Sequence, residues 1–370
     1  MTILLGLIGL SLLVFFHELG HFTVAKLCGV KVEAFSIGMG PVLLHHTWGD
    51  TDYRVSLLPI GGYCTMKGEN DYQEALDAGL SEINGDSDSF YGVHPLRRLL
   101  IAFAGPCTNF LLGFLFFSVI ALLGYTYYSE GTTVQMADEV IEGLASRAHE
   151  AGMQSGDTIT SLNGNPVANF SDIREFIAVH PDEDIVIGFI RDGNNLTVTA
   201  HTDLDKETGA GKIGIVADAD SVTEQHYGPY SLPGAIVEGA SQTGKMIALT
   251  FKSIGILFKG VDLTKTVSGP ARIASMLGHT VTEGFAESIN IGIVSTLQLL
   301  ALISISLFIM NLLPAPVLDG GLILFACIEW VLHRKIPPKV LYYSQFVGLT
   351  FIGILMVLAV TGDVRYFFFK

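Results

Sequence analysis

Four stretches of the 370-residue chain are long, apolar and nearly free of charge: roughly Ile3 to Ala25, Leu99 to Tyr125, Ile293 to Leu313 and Leu341 to Val360. Each is close to the ~20 residues that a helix needs to cross a bilayer. The pattern therefore predicts four membrane-spanning helices with both termini on one side. Between the first two spans, Tyr53, Val55 and Leu57 alternate with Arg54 and Ser56, and "PIGG" precedes Tyr63 and Thr65. Period-two alternation followed by turn residues predicts a β-hairpin or re-entrant β element over 53–67. From about 132 to 204 the chain is soluble in character. A short helix ends at Gly152, a strand lies between turns at Gly156-Asp157 and Asn163-Gly164, "NFSDIREFIAV" starts as a capped helix, and a hairpin turns at Asp192-Gly193.

Residues 232–259 carry a different stripe. Ile236, Val237, Ala240, Ile247, Phe251, Ile254 and Phe258 line one face, while Glu238, Lys245, Lys252 and Lys259 recur every seven residues on another. That is an amphipathic surface helix rather than a fifth span. The stretch 201–233, rich in Asp, Gly and Thr, is linker-like with one strand at Ile213 to Ala217. The expected division is 1–128 and 293–370 as two parts of a membrane core, 129–205 as a folded domain, and 206–292 as linker and amphipathic helix.

Composition agrees with the bilayer as solvent. The chain is 49% hydrophobic and 15% charged, with mean hydropathy +0.48, too apolar for a soluble protein of this size. No Lys or Arg precedes the first apolar run and no small-residue cleavage site follows it, so that segment is expected to stay. Cations fix the orientation. Lys26, Lys31, Arg97 and Arg98 flank the loop between spans one and two, and Arg334, Lys335 and Lys339 crowd the loop between spans three and four. Residues 126–146 hold no cation. The positive-inside rule makes both flanked loops cytoplasmic and 126–292 external. Cys28, Cys64, Cys107 and Cys327 all fall in spans or inward loops, as free structural thiols would. The net charge of −15 argues against a nucleic-acid partner.

The first span holds the candidate chemistry. In "VFFHELGHF", His17 and His21 stand four apart, so a helix projects both imidazoles from one face with Glu18 adjacent. Two neutral imidazoles can bind Zn²⁺, and a neighbouring carboxylate can take a proton from a water activated by the metal. The bland alternative is a pair of hydrogen-bonded histidines at an interfacial helix end. Ionisable groups at membrane depth are costly, which favours function. A third ligand is needed. Asp319, in "NLLPAPVLDGG", is the only acid between Asn290 and Glu329, and spans one and three both run inward and deliver His17 and Asp319 to the same side. Read alone, Asp319 is more readily a capping residue at a helix stop.

"HELGH" and "NLLPAPVLDGG" together resemble the site-2 protease family of intramembrane zinc metalloproteases, in its bacterial RseP type. "FSIGMGP" (35–41), "LLPIGGYCTMKGE" (57–69), "AGPCTN" (104–109) and "SGPARIA" (268–274) extend the resemblance over nearly the whole chain. The resemblance implies His17, His21 and Asp319 as ligands of Zn²⁺ and Glu18 as catalytic base. It further implies that Asn311 holds the substrate backbone and that Gly105 and Asn109 lie near the active site. On its own spacing, "AGPCTN" is as readily a close-packing helix face as a site. The domain at 129–205 looks like a PDZ domain, where RseP proteins of Gram-negative bacteria usually carry two.

A helical substrate hides its carbonyls in backbone hydrogen bonds, so cleavage requires local unwinding and a partner for the freed groups. The β element, with Leu57, Leu58, Gly61 and Gly62 as its substrate-facing positions, could pair with such a peptide as an added strand, or could merely pack on the cytoplasmic loop. The PDZ-like domain could bind an extended peptide or act as a size filter.

The expected fold class is thus an α-helical integral membrane protein with four transmembrane helices, a re-entrant cytoplasmic β-hairpin and an extracytoplasmic α+β PDZ domain. The expected activity is zinc-dependent cleavage of the transmembrane segments of single-pass membrane proteins, or of signal-peptide remnants, in a bacterial inner membrane. Release of a membrane-held signalling factor such as an anti-sigma target follows from the resemblance alone. A metal-ion transporter would want several ligating pairs and symmetry between halves, neither of which is visible, and an idle scaffold would need no Glu18.

Overall fold

The computed structural model of the protein describes residues 2–368. Helix α1 (Thr2–Leu27) is apolar all round, yet what it buries is a narrow stripe: Gly6, Ser11, Leu13, His17, His21 and Ala25. Leu4, Ile8 and Leu12 face outward. This inversion, with small and polar residues turned to protein and leucines turned away, suits a helix whose solvent is lipid.

Two long strands follow, β1 (Val32–Trp48) and β2 (Thr51–Met66). Both bend. Gly38, Gly40 and Gly61 have φ of +84°, +85° and +82°, a region closed to most side chains. The bends fold two strands into a wider sheet: Phe35 lies opposite both Tyr53 and Cys64, and Ser36 opposite both Arg54 and Tyr63. Segment 32–37 therefore lies between 52–55 and 62–66, which leaves 62–66 as a sheet edge. The "PIGG" turn is present as the bend that creates that edge, while the tight hairpin turn sits at Gly49-Asp50. The Ser11 hydroxyl donates to the Pro59 carbonyl and ties this bend to α1. Val32, Met66, Phe90, Val93, Ala25 and Ile101 form the apolar cluster beneath it.

A short helix α2 (Asp71–Asp77) leads to α3 (Pro95–Leu123). Helices α1 and α3 meet backbone to backbone: a Cβ on Gly20 would stand 2.5 Å from the Ala104 carbonyl oxygen and 2.4 Å from Thr108 Oγ1. Only glycine permits that approach.

The chain divides into two compact units, one comprising 1–121, 231–247 and 268–370, the other 122–230 and 248–267. In the second unit β3 (Tyr125–Glu130) and β4 (Val134–Met136) lead to the short helices α4 (Ala137–Val140) and α5 (Arg147–Glu150). Strands β5 (Thr158–Leu162), β6 (Asn165–Pro166), β7 (Asp184–Arg191) and β8 (Asn194–His201) form a sheet in the order β6-β5-β7-β8, with α6 (Phe170–Ala178) between β6 and β7 in the chain. The expected turns are there. Asn163 and Gly164 have φ of 47° and 79°, and Asp192 and Gly193 of 49° and 78°, the paired positive angles that tight hairpins require. Asn169 caps α6 by accepting from the Asp172 N–H. Further pairs join β9 (Asp203–Leu204) with β10 (Gly211–Lys212), β11 (Ile215–Ala217) with β4, and β12 (Val222–Tyr227) with β3. The predicted linker is thus more structured than its composition indicates.

Helix α7 (Leu232–Ile256) buries Ala235 and Thr243, while Ile236, Val237 and Phe251 of the expected apolar stripe are exposed. After the single turn α8 (Leu263–Thr266) comes α9 (Pro270–Glu287), which the hydropathy pattern does not predict. Its first turn is capped from α12 (Pro338–Phe368), where Asp363 accepts from the Gly269 and Ala271 N–H groups at 2.9 and 3.0 Å. Gly6 of α1 abuts the Ala274 carbonyl, and Leu277 joins Leu13, Leu112 and Leu300 in one cluster. Helix α10 (Ile289–Asn311) ends at Asn311, and α11 (Asp319–Leu332) begins at Asp319. Among the described residues, α1, α3, α10 and α12 are the helices long and apolar enough to cross a membrane. All four expected spans are recovered.

Candidate metal centre

Helical spacing alone places His17 and His21 on one face of α1. What aims them is α3. His21 Nδ1–H donates to the Ile101 carbonyl at 2.8 Å, leaving Nε2 free to turn into the protein. His17 Nδ1 meets the Asn109 side-chain amide at 3.1 Å. Asp319 arrives from the far end of the chain. The loop before it is tightly wound: Val317 has φ of 87°, a strained angle for a β-branched residue. A Cβ on Gly320 or Gly321 would stand 2.2 Å from the Leu313 oxygen or 2.6 Å from the Ala315 oxygen. "LDGG" is therefore a geometric requirement, since any larger residue would push the start of α11 away from the histidines.

The three donors converge. His17 Nε2 lies 3.2 Å from His21 Nε2 and 3.2 Å from Asp319 Oδ2, and His21 Nε2 lies 3.3 Å from Asp319 Oδ1. In a tetrahedral site with bonds of ~2.0–2.1 Å, neighbouring ligand atoms are ~3.3–3.4 Å apart. Each separation matches the spacing of two ligand atoms around one zinc ion, with His17 facing Asp319 Oδ2 and His21 facing Oδ1, so the two imidazoles and the carboxylate fit as a set of zinc ligands. Gly105 explains how it fits: a Cβ there would stand 2.2 Å from His21 Nε2 and 2.8 Å from His17 Cε1, against both imidazole rings.

The three donors open on a cavity of about 310 Å³ lined by His17, Glu18, His21, Asp319 and Asn311, with Tyr63, Cys64 and Met66 from the sheet edge. Five residues expected at the site, His17, Glu18, His21, Asn311 and Asp319, therefore share one space. Gly105 and Asn109 stand directly behind the histidines. Gly62 is beside Glu18, its Cβ position 3.6 Å from Glu18 Cγ. Leu57 and Leu58 are about half exposed and do not line the cavity. Glu69 also lines it and carries no role in the sequence reading, although it closes the "LLPIGGYCTMKGE" stretch. Burial pushes the Glu69 carboxyl above its ordinary pKa, despite the Met66 N–H that it accepts at 3.3 Å. The Ile101 carbonyl is another missed participant. A backbone acceptor has no signature in sequence.

Residues 5–355 match the model of Peptidase family M50. This chain belongs to that family. It is 35% identical to a putative zinc metalloprotease of Treponema pallidum, over 99% of both chains. A putative zinc metalloprotease of Campylobacter jejuni is 33% identical, over 96% of this chain and 91% of its own. Zinc metalloprotease RasP of Shouchella clausii is 28% identical over the full length of both. M50 peptidases are zinc-dependent hydrolases of the site-2 protease type, so this M50 protein is a zinc metalloprotease. Its apolar helices mark it as a membrane protein.

Proposed function

We propose that this M50 peptidase cuts peptide bonds within the transmembrane segments of single-pass membrane proteins, or of signal-peptide remnants left in the bilayer. The observation that carries the proposal is the three-donor cluster opening on a cavity in the unit that holds all four apolar helices. A hydrolytic centre at that place serves substrates that are themselves in the membrane.

His17, His21 and Asp319 hold zinc in this reading. Bound there, the metal supplies Lewis-acid polarisation of the scissile carbonyl and lowers the pKa of water toward about 7. Glu18 takes the proton from the attacking water and returns it to the departing amine. The released substrate backbone needs new partners. The sheet edge at 62–66, which starts at Gly62 just after the bend at Gly61, offers strand pairing, and the Asn311 amide can both donate and accept. Leu57 and Leu58, at the outer part of the bend, receive the side chains flanking the unwound stretch.

Cations near the span ends put the loop 28–94 and the loop after α11 on the cytoplasmic side of a bacterial inner membrane, with the second unit outside. Residues 129–205 act there as a PDZ domain that gates entry, by binding a peptide or by excluding bulky ectodomains. Release of a membrane-held anti-sigma factor is one use of such an activity.

A fluorescent single-span substrate in detergent tests the reading, with zinc content measured on the same samples. Wild type should carry zinc and cut within the apolar segment, and Glu18→Gln should keep zinc and lose cleavage. Cleavage retained by Glu18→Gln overturns the assignment of the base; cuts confined to soluble segments overturn the intramembrane reading.

A further inference from the structure

Asn109 is fully buried (0% exposed) on α3 and does not line the cavity. Its backbone is pinned, because the Ser304 hydroxyl of α10 donates to its carbonyl at 2.8 Å. Its side chain is not fully satisfied. Nδ2 lies 3.1 Å from His17 Nδ1, while Oδ1 is buried with no hydrogen-bond partner. In that orientation the amide N–H donates to Nδ1, so the imidazole proton sits on Nε2. That nitrogen is the one turned toward His21 and Asp319, and with a proton on it His17 has no lone pair to give a metal. A half-turn of the amide exchanges its two ends. Oδ1 then accepts from His17 Nδ1–H and frees the Nε2 lone pair, while Nδ2 takes the side on which Oδ1 had no partner.

We propose that Asn109 is a positioning residue that works as an acceptor, its Oδ1 holding His17 in the tautomer that binds zinc. His21 needs no such device, since the Ile101 carbonyl can only accept. The two histidines are therefore unequal. One is set permanently for coordination by backbone, the other conditionally by a side chain.

The inference rests on the reading of His17, His21 and Asp319 as zinc ligands and is tested through zinc affinity, measured by competition with a chromophoric chelator on the full-length protein in detergent. Asn109→Asp keeps an acceptor and removes the N–H donor; Asn109→Leu removes both at similar size. Asn109→Leu should weaken zinc binding about 10–100-fold, the usual loss when a ligand's supporting hydrogen bond is removed. Asn109→Asp should bind within a few-fold of wild type, or more tightly. Equal weakening in both variants, or wild-type affinity in Asn109→Leu, overturns the proposal. Should Asn109→Leu fail to fold, Asn109→Asp still decides, because a donor role predicts its zinc loss and an acceptor role predicts its retention. Wild type without zinc would instead refute the ligand assignment itself, so the two failures are distinguishable.

Discussion

The two units of this protein hide opposite things. In the second unit the interior is apolar, with Val134, Met136, Ile159, Leu162, Ile173, Ile185, Ile187, Phe189 and Ile213 in one cluster. Its charges mostly lie outside, as in the Arg147 pairs with Glu150 and Asp203. In the first unit leucines, isoleucines and phenylalanines cover the outside of the spans, while His17, His21, Asn109 and the Arg98–Glu329 pair are buried. Water drives the first arrangement, because burying apolar area is favourable. Lipid offers no such gain, so polarity inside the membrane unit needs another reason. At α1 the proposed zinc site supplies one. The same buried histidine in the second unit would carry far less information.

The sharpest way to break this contrast is to disturb the polar interior. Gly105→Ala places a methyl group on His21 Nε2 and should abolish both zinc binding and cleavage, read as zinc per chain and turnover. Full zinc occupancy in that variant would show that the three donors are not the site. Glu18→Gln, with zinc retained, should lower turnover by at least ~10²–10⁴-fold, the range for losing a general base.

Stability measurements sharpen it further. Arg98 and Glu329 are both buried and paired, and Glu329 also accepts from the Ile336 N–H at 2.9 Å. Arg98→Ala should cost ~3–5 kcal/mol by stranding the carboxylate, seen as a lower denaturation midpoint in detergent. Replacing both partners with apolar residues should restore most of it. In the second unit the sign of importance reverses. Ile187→Ala in its core should cost ~2–5 kcal/mol, whereas Leu349→Ala, which is 60% exposed on α12, should change folding by less than ~1 kcal/mol.

The smallest effect concerns surface charge. The Asp184 carboxylate, 2.7 Å from His201 Nδ1, raises the His201 pKa above its ordinary value, as Asp138 does for His149. A raised folded-state pKa stabilises fully below the unfolded value of about 6.5 and loses that contribution as pH climbs through the folded value. The second unit should therefore be slightly more protected from hydrogen exchange at about pH 6 than at about pH 8.5, corrected for intrinsic rates, and Asp184→Asn should reduce the difference.

Much of this protein is legible in the amino-acid sequence alone. Four apolar runs become four helices because hydrogen-bond satisfaction in lipid leaves a chain little choice. Four-residue spacing puts His17 and His21 on one face whatever surrounds them, and Asn163-Gly164 and Asp192-Gly193 turn because their own backbones allow it. These are local rules, with periods of two to four residues. Tertiary packing decided the rest: that Asp319 closes the cluster rather than capping its helix, that Gly105 is kept small by two imidazoles, that Ile101 and Asn109 hold those rings, and that 62–66 becomes the sheet edge. Such contacts join elements distant in the chain through backbone approach and amide orientation, and neither leaves a periodic trace in the order of residues.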